Sequence, residues 1–354
     1  MIAADRSRLP WRRTARGALL VLLLLAPSLA RPRELVDMIG HRVRVPDRIE
    51  RVAALSPPAT YLVYAFDPGL LVGLNFPLRD GEKRFTAEAY RALPVLGGMV
   101  GNGRNINLEV LLAARPDVVL LWTRGRANDA INEQYERLLA PLNLPLVHVR
   151  FDGIADYPAA ISFLGTLLGR QQRAGVLNAY AREVLAQVPA ALRGIPAAAR
   201  PSIYYAEGPD GLATDGEGSM HTELIPLAGG RNVRPTPPST MMGMEEVSLE
   251  QVIAYDPDVV LVKEAMAYAQ IRSDPRWRSL RAVREGRVLM IPSQPFNWFD
   301  RPPSFMRLLG LRWLAHALHP DRVPFDELAE TRRFYRLFLG VELTEAEAAE
   351  VLCR

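Results

Sequence analysis

The side chains with the most chemical capacity in this chain stand directly behind short apolar runs. Ser56 and Thr60 follow RVAAL, and Trp122, Arg124 and Arg126 follow DVVLL. Tyr204 and Tyr205 lie in SIYYAEG, Lys263 follows DVVLV, and Trp298, Phe299 and Arg301 follow VLMIP. Rigid aromatic faces bury planar apolar ligands, and guanidinium groups take carboxylates and other anions in paired hydrogen bonds. That is the chemistry of holding a ligand. The signatures of turnover are missing: there is no G-x-S-x-G, no Walker loop, and no G-x-G-x-x-G opening a helix after a strand. GMVGNGRN is glycine-rich, but it runs into a helix whose start Asn107 already explains. The histidines at 41, 148, 221, 316 and 319 include one close pair, His316/His319, and that pair sits at a helix end. A bare metal site needs several ligands converging from different elements, so no direct metal site and no intrinsic cofactor are expected.

A second kind of chemistry comes from duplication. INLEVLLAARPDVVLLW (106–122) recurs as VSLEQVIAYDPDVVLVK (247–263), with eight of seventeen positions identical and an offset of 141 residues. Each copy reads as a capped helix, a Pro-Asp turn and a buried strand, with Glu109 and Glu250 in the first helical turn. An acidic residue there suits the helix dipole.

Short apolar strands alternate with helical periods on both sides of a long helical stretch. Strands bounded by Gly and Pro, among them RVAAL, LLVGL, LPVLG, DVVLLW and LPLVHVRF, predict a first doubly wound lobe over 31–154. Apolar residues at Ile161, Leu164, Leu168, Leu177, Tyr180, Val184 and Val188 predict one long connecting helix within 155–195. The alternation then resumes: SIYYAEG is a strand, MHTELIPLAGG a helix, and GRVLMIP a late strand before the helix between prolines at 303–320. A second α/β lobe with a short helical tail fills 196–354. The fold class is α/β, two Rossmann-like lobes joined by a single helix with a ligand cleft between them.

Arg12, Arg13 and Arg16, the apolar run 17–26 and Ser28-Leu29-Ala30 have the order of a cleavable export signal over residues 1–30. The whole chain carries a net charge of +4. Residues 1–30 hold five Arg and one Asp, so the remainder is neutral and gives no support to nucleic-acid binding. The only cysteine, Cys353, has no partner for an internal disulfide. A periplasmic, monomeric protein is expected.

GHRVRVPDRIERVAALSPPAT, NINLEVLLAARPDVVLLW, VSLEQVIAYDPDVVLV, DPRWRSLRAVREGRVLMIP and NWFDRPPSFMRLLGLRWLAHALHP occur in this order from about 40 to 320. With them the chain resembles the periplasmic substrate-binding proteins of ABC importers of the Fe3+-siderophore, haem and vitamin B12 class. The resemblance implies two lobes joined by one helix, ligand held between them, and no catalysis. It assigns Glu109 and Glu250 to docking on arginines of a dimeric permease. Trp122 and the NWFDR run are similar to the vitamin B12-binding member. An iron chelate, siderophore or haem, is the implied cargo, the metal arriving only inside the chelate. Cobalamin, molybdate or tungstate and nickel chelates are the alternatives, and a chelatase-like enzyme is the alternative from another class.

Overall fold

In the computed structural model, residues 32–100, 103–104, 106–125, 129–240 and 243–353 are described. A two-stranded antiparallel ribbon, β1 (Arg33–Val36) and β2 (Arg42–Val45), precedes the first sheet. That sheet contains β3 (Val52–Ala54), followed by helix α1 (Pro57–Phe66). Helix α2 (Leu108–Ala113) leads into β4 (Val118–Thr123), and α3 (Asp129–Leu139) into β5 (Leu146–Arg150). The strand order is β3-β4-β5, all parallel, with Val52 opposite Val118 and Val119 opposite Leu146. LLVGL and LPVLG add only single bridges, Val52 with Leu71 and Leu74 with Val95.

The second half repeats this plan. α4 (Tyr157–Leu167) and α5 (Gln171–Ala191) lead to β6 (Ser202–Ala206) and β7 (Arg231–Asn232). α6 (Leu249–Tyr255), β8 (Val259–Val262), β9 (Val288–Met290) and α7 (Met306–Leu318) follow. The order is β7-β6-β8-β9, again all parallel, and β8 is buried along its whole length, as a strand covered on both faces must be. The helix expected over 220–230 shrinks to Leu224–Leu227, because residues 216–222 are held in turns, with the Thr222 hydroxyl donating to the Gly216 carbonyl.

The connecting segment differs from the single helix expected. It is two helices that fold against each other, broken at 168–170 where Gly169 takes a φ of +65°. A left-handed glycine ends a helix at little steric cost. Gly165 lies so close to the second helix that a Cβ there would come within 2.5 Å of the Ala174 Cβ. α5, 21 residues long and so about 30 Å, is the element that reaches both halves. Arg173 at its start donates to Ala65 O of α1, and its later turns pack on α7.

One apolar cluster runs from β3 and α1 through α4 and α5 to α7, so the two halves share a core. The chain end belongs to that core. α8 (Glu327–Phe334) continues into a π-helical turn, Tyr335–Leu339, before α9 (Glu345–Val351). Arg84 pairs with Glu350, and Phe85 meets Tyr335 edge to face at 5.9 Å. The tail predicted to cap the second half thus also packs on the first.

Candidate ligand cleft

In an open α/β sheet the loops beyond the strand ends are where a ligand is held. In the first half Ser56 caps α1 by position only. Its hydroxyl is fully buried with no hydrogen-bond partner, since Pro57 and Pro58 remove the nearest backbone donors. The Thr60 hydroxyl donates to Asn75 Oδ1 at 2.7 Å, and Asn75 Nδ2 donates to Ala54 O and Gly97 O. Thr60 therefore braces the wall from inside. Gly98, at φ +132°, has room for no Cβ, which would stand 2.4 Å from Leu55 O.

Trp122 turns back on its own half: its indole N–H donates to Phe151 O at 3.0 Å, and the two rings lie 5.6 Å apart. Arg124 lines the cleft and donates from Nε to Asp152 O. Burial lowers its pKa, against the pull of Asp152 and Glu223, and nearby Arg307 lowers it further. Arg126 lies outside the described residues.

The second half presents a buried ionic network. Arg301 Nε lies 2.6 Å from Glu207 and 3.2 Å from Asp300, and Nη2 lies 2.5 Å from Asp215. All three carboxylates are fully buried. Asp300 also accepts from the Tyr205 hydroxyl at 2.6 Å and stands 2.8 Å from His221 Nδ1. Burial would raise the Asp300 pKa, but contacts with His221, Arg301 and Tyr205 outweigh it and leave the pKa below the usual range. Glu207 goes the other way. Burial and the Asp300 charge prevail over Arg301 and push its pKa up to about 9, so it holds a proton at neutral pH. Arg301, expected as a cargo contact, is the counter-ion of this network.

The remaining aromatic candidates are core residues. Tyr204 and Tyr205 are neighbours on β6 and point to opposite faces, as strand residues do. Tyr204 packs beneath the second sheet with its hydroxyl donating to Gly211 O, and Tyr205 meets Phe299 at 4.9 Å. Trp298 is fully buried, its backbone pressed onto α7 at Gly310, where a Cβ would lie 1.9 Å from the Trp298 carbonyl. Lys263 forms a 2.6 Å pair with its neighbour Glu264.

Between the halves lies a cavity of about 770 Å³. Its charged lining includes Arg124, Asp152 and Asp156 from the first half and Glu217, Glu223 and Arg231 from the second, and no aromatic side chain lines it among the described residues. Glu223 bridges the halves. It accepts from Ile154 N at 3.0 Å and from Arg307 Nη2 at 2.6 Å, while the Tyr157 hydroxyl donates to Ser304 O. Gly153 makes room for it, since a Cβ there would meet Glu223 Oε1 at 2.2 Å. These residues escaped sequence inspection. The rule of reading past strand ends, applied to LPLVHVRF, would have reached Asp152 and Asp156; Glu217 falls before the segment taken as a helix and Glu223 within it.

Glu109 and Glu250 are both exposed in the first turns of α2 and α6. Asn107 and Ser248 cap those helices by accepting from Val110 N and Gln251 N. Elsewhere, Asp37, His41 and His148 bring one potential ligand atom each within 4.8 Å of one another. The fold already uses these groups: Asp37 accepts three backbone N–H groups, and the two His148 ring nitrogens lie 2.9 Å from the Thr123 hydroxyl and 3.0 Å from Glu136.

Comparison with known proteins agrees with this architecture. Residues 82–295 match the periplasmic binding protein family. The molybdate-binding protein MolA of Haemophilus influenzae is 27% identical, covering 90% of this chain and 96% of its own. The vitamin B12-binding protein of Salmonella typhi is also 27% identical, over 76% of this chain and 90% of its own. The solved ABC transporter solute binding protein from Sulfurospirillum deleyianum superposes with a TM-score of 0.84 at 34% identity, covering 91% of this chain and 99% of that one. MolA bound to molybdate superposes at 0.68, with 23% identity and 88% and 99% coverage, a likeness of fold. The chain belongs to the periplasmic binding protein family, as a non-enzymatic solute-binding protein of ABC transporters.

Proposed function

We propose that this chain is exported by cleavage near Ala30, works in the periplasm as a monomer, and carries a small oxyanion of the molybdate–tungstate class to a dimeric ABC permease. The observation that carries this reading is the chemistry of the cleft. Seven charged side chains line it, Arg124, Arg200 and Arg231 among them, beside small apolar residues, and no aromatic side chain does among the described residues. Haem, cobalamin and catecholate shells bury broad apolar faces against aromatic platforms. Trp298, Phe299, Tyr204 and Tyr205, the residues expected to form such a platform, are buried in the cores instead. An oxyanion asks for hydroxyl and guanidinium donors in a partly dry site. Half-buried Arg124 from the first half, with Arg200 and Arg231 from the second, brings guanidinium groups to the lining. The molybdate-binding relative, which aligns over nearly its full length, supports the same cargo class. The iron-chelate reading, drawn from the family at large, has less to stand on in this cleft.

Uptake of radiolabelled molybdate by cells deleted for this chain tests the proposal. Uptake from dilute medium falls and is restored by the wild-type chain; undiminished uptake, with loss of cobalamin or ferric-chelate uptake instead, overturns it.

A further inference from the structure

The charges around the cavity do not favour an anion as they stand. Among the described residues, the carboxylates of Asp152, Asp156, Glu217 and Glu223 outnumber the guanidiniums of Arg124, Arg200 and Arg231. Asp156 is satisfied within its own turn, where Oδ2 accepts Asp152 N at 2.8 Å and Gly153 N at 3.2 Å. Glu223 takes its donors from elsewhere. Oε1 accepts Ile154 N, 69 residues back and across the halves, and Oε2 accepts Arg307 Nη2.

An ion pair that served the fold alone would bury its acid with its base. Here the Glu223 side chain is 25% exposed and lines the cavity, while the Arg307 side chain behind it is 3% exposed. Arg307 is also held from its other side, since Nε donates to Phe299 O at 2.9 Å. It stays in place when Glu223 moves, and then faces the cavity. Arg124, from the opposite half, lies within electrostatic reach of the same carboxylate. A backbone N–H and two guanidiniums are the donors that an oxyanion takes. In this structure a carboxylate of the chain itself holds them.

We propose that Glu223 is a built-in competitor for the cargo, occupying the Ile154 N–H and the Arg307 guanidinium that a bound oxyanion takes over when the side chain swings aside. The assignment rests on the oxyanion cargo proposed above. Swinging Glu223 out removes an acid from the lining and uncovers a base, which reverses the charge balance. The cargo then makes the link between the halves that Glu223 makes in its place. Selectivity follows from the competition. A dianion gains more from the guanidiniums than the singly charged carboxylate it displaces, whereas a monoanion of the same shape does not. Glu223 therefore selects dianionic over monoanionic tetrahedral oxyanions.

Calorimetric titration of the wild type, Glu223→Gln and Glu223→Ala with molybdate, and with perrhenate as a tetrahedral monoanion of like size, tests this. The wild type is expected to bind molybdate and exclude perrhenate. Glu223→Ala tightens molybdate by roughly tenfold or more, because the site no longer has to expel its own carboxylate first. Glu223→Gln keeps an acceptor but no charge, and tightens it less. Perrhenate binding becomes measurable in both variants. The Gln variant carries the test alone where loss of its partner at Arg307 prevents the Ala variant from folding. Molybdate affinity left unchanged or weakened by both substitutions, with perrhenate still excluded, makes Glu223 a structural clasp and overturns this inference alone. No molybdate binding by any of the three proteins overturns the oxyanion reading with it.

Discussion

At the cleft edge of the first sheet the buried polar groups are neutral: Thr60, Asn75 and the carbonyls of Ala54 and Gly97 satisfy one another. At the same edge of the second sheet, Glu207, Asp215 and Asp300 surround Arg301, with Tyr205 and His221 on the flank. The neutral edge depends on hydrogen bonds alone. The ionic edge depends on one cation and one retained proton, since three buried carboxylates repel one another in a medium that screens poorly. Two sheets of the same topology therefore have different failure modes.

The largest expected effect removes the cation. Arg301→Ala leaves buried carboxylates without their counter-ion and costs about 3–5 kcal/mol, read as a lower midpoint in denaturant. Loss below 1 kcal/mol, roughly the value of a surface pair, would refute the buried network.

Next come the matched aspartates of the repeat. Asp117 Oδ2 accepts Glu50 N and Arg51 N, both at 2.8 Å, whereas Asp258 takes Ser202 N and its hydroxyl and also pairs with Arg281 at 2.6 Å. Each change to Ala costs about 1–3 kcal/mol, Asp258→Ala more than Asp117→Ala, by parallel urea titrations. The reverse order breaks the comparison.

The retained proton gives a pH signature. The folded Glu207 pKa is raised to about 9, above the ordinary carboxylate value of 4.5 that the unfolded chain keeps. Its contribution is complete below the unfolded value and is lost as pH rises through 9, because the folded state holds a proton that the unfolded state has released. Glu207→Gln should therefore flatten the decline in stability between these values. A decline of the same steepness in the variant would place the titration elsewhere.

The smallest effect belongs to Trp122. Its indole is bonded within its own half, so Trp122→Ala should alter stability while leaving oxyanion affinity within about twofold, a difference under 1 kcal/mol. A large affinity loss would put the indole in the cleft.

The duplicated element was legible in sequence because its parts are local: a cap, a four-residue turn and a strand lie within seventeen residues. The Arg301 network was not, because Glu207 and Asp215 lie 94 and 86 residues away along the chain. Two local rules sharpen the sequence reading. Adjacent strand residues face opposite ways, which sends Tyr204 and Tyr205 into different apolar clusters. Gly169, behind two leucines and before an arginine, carries the helix-stop signal that splits the connector.

Calorimetric titration of the mature protein with molybdate, and in parallel with cyanocobalamin and haemin, tests the central claim most directly. Molybdate is expected to bind saturably and one-to-one, more weakly in Arg124→Ala, with no heat from the two macrocycles. Tight binding of either macrocycle with silence from molybdate would contradict it.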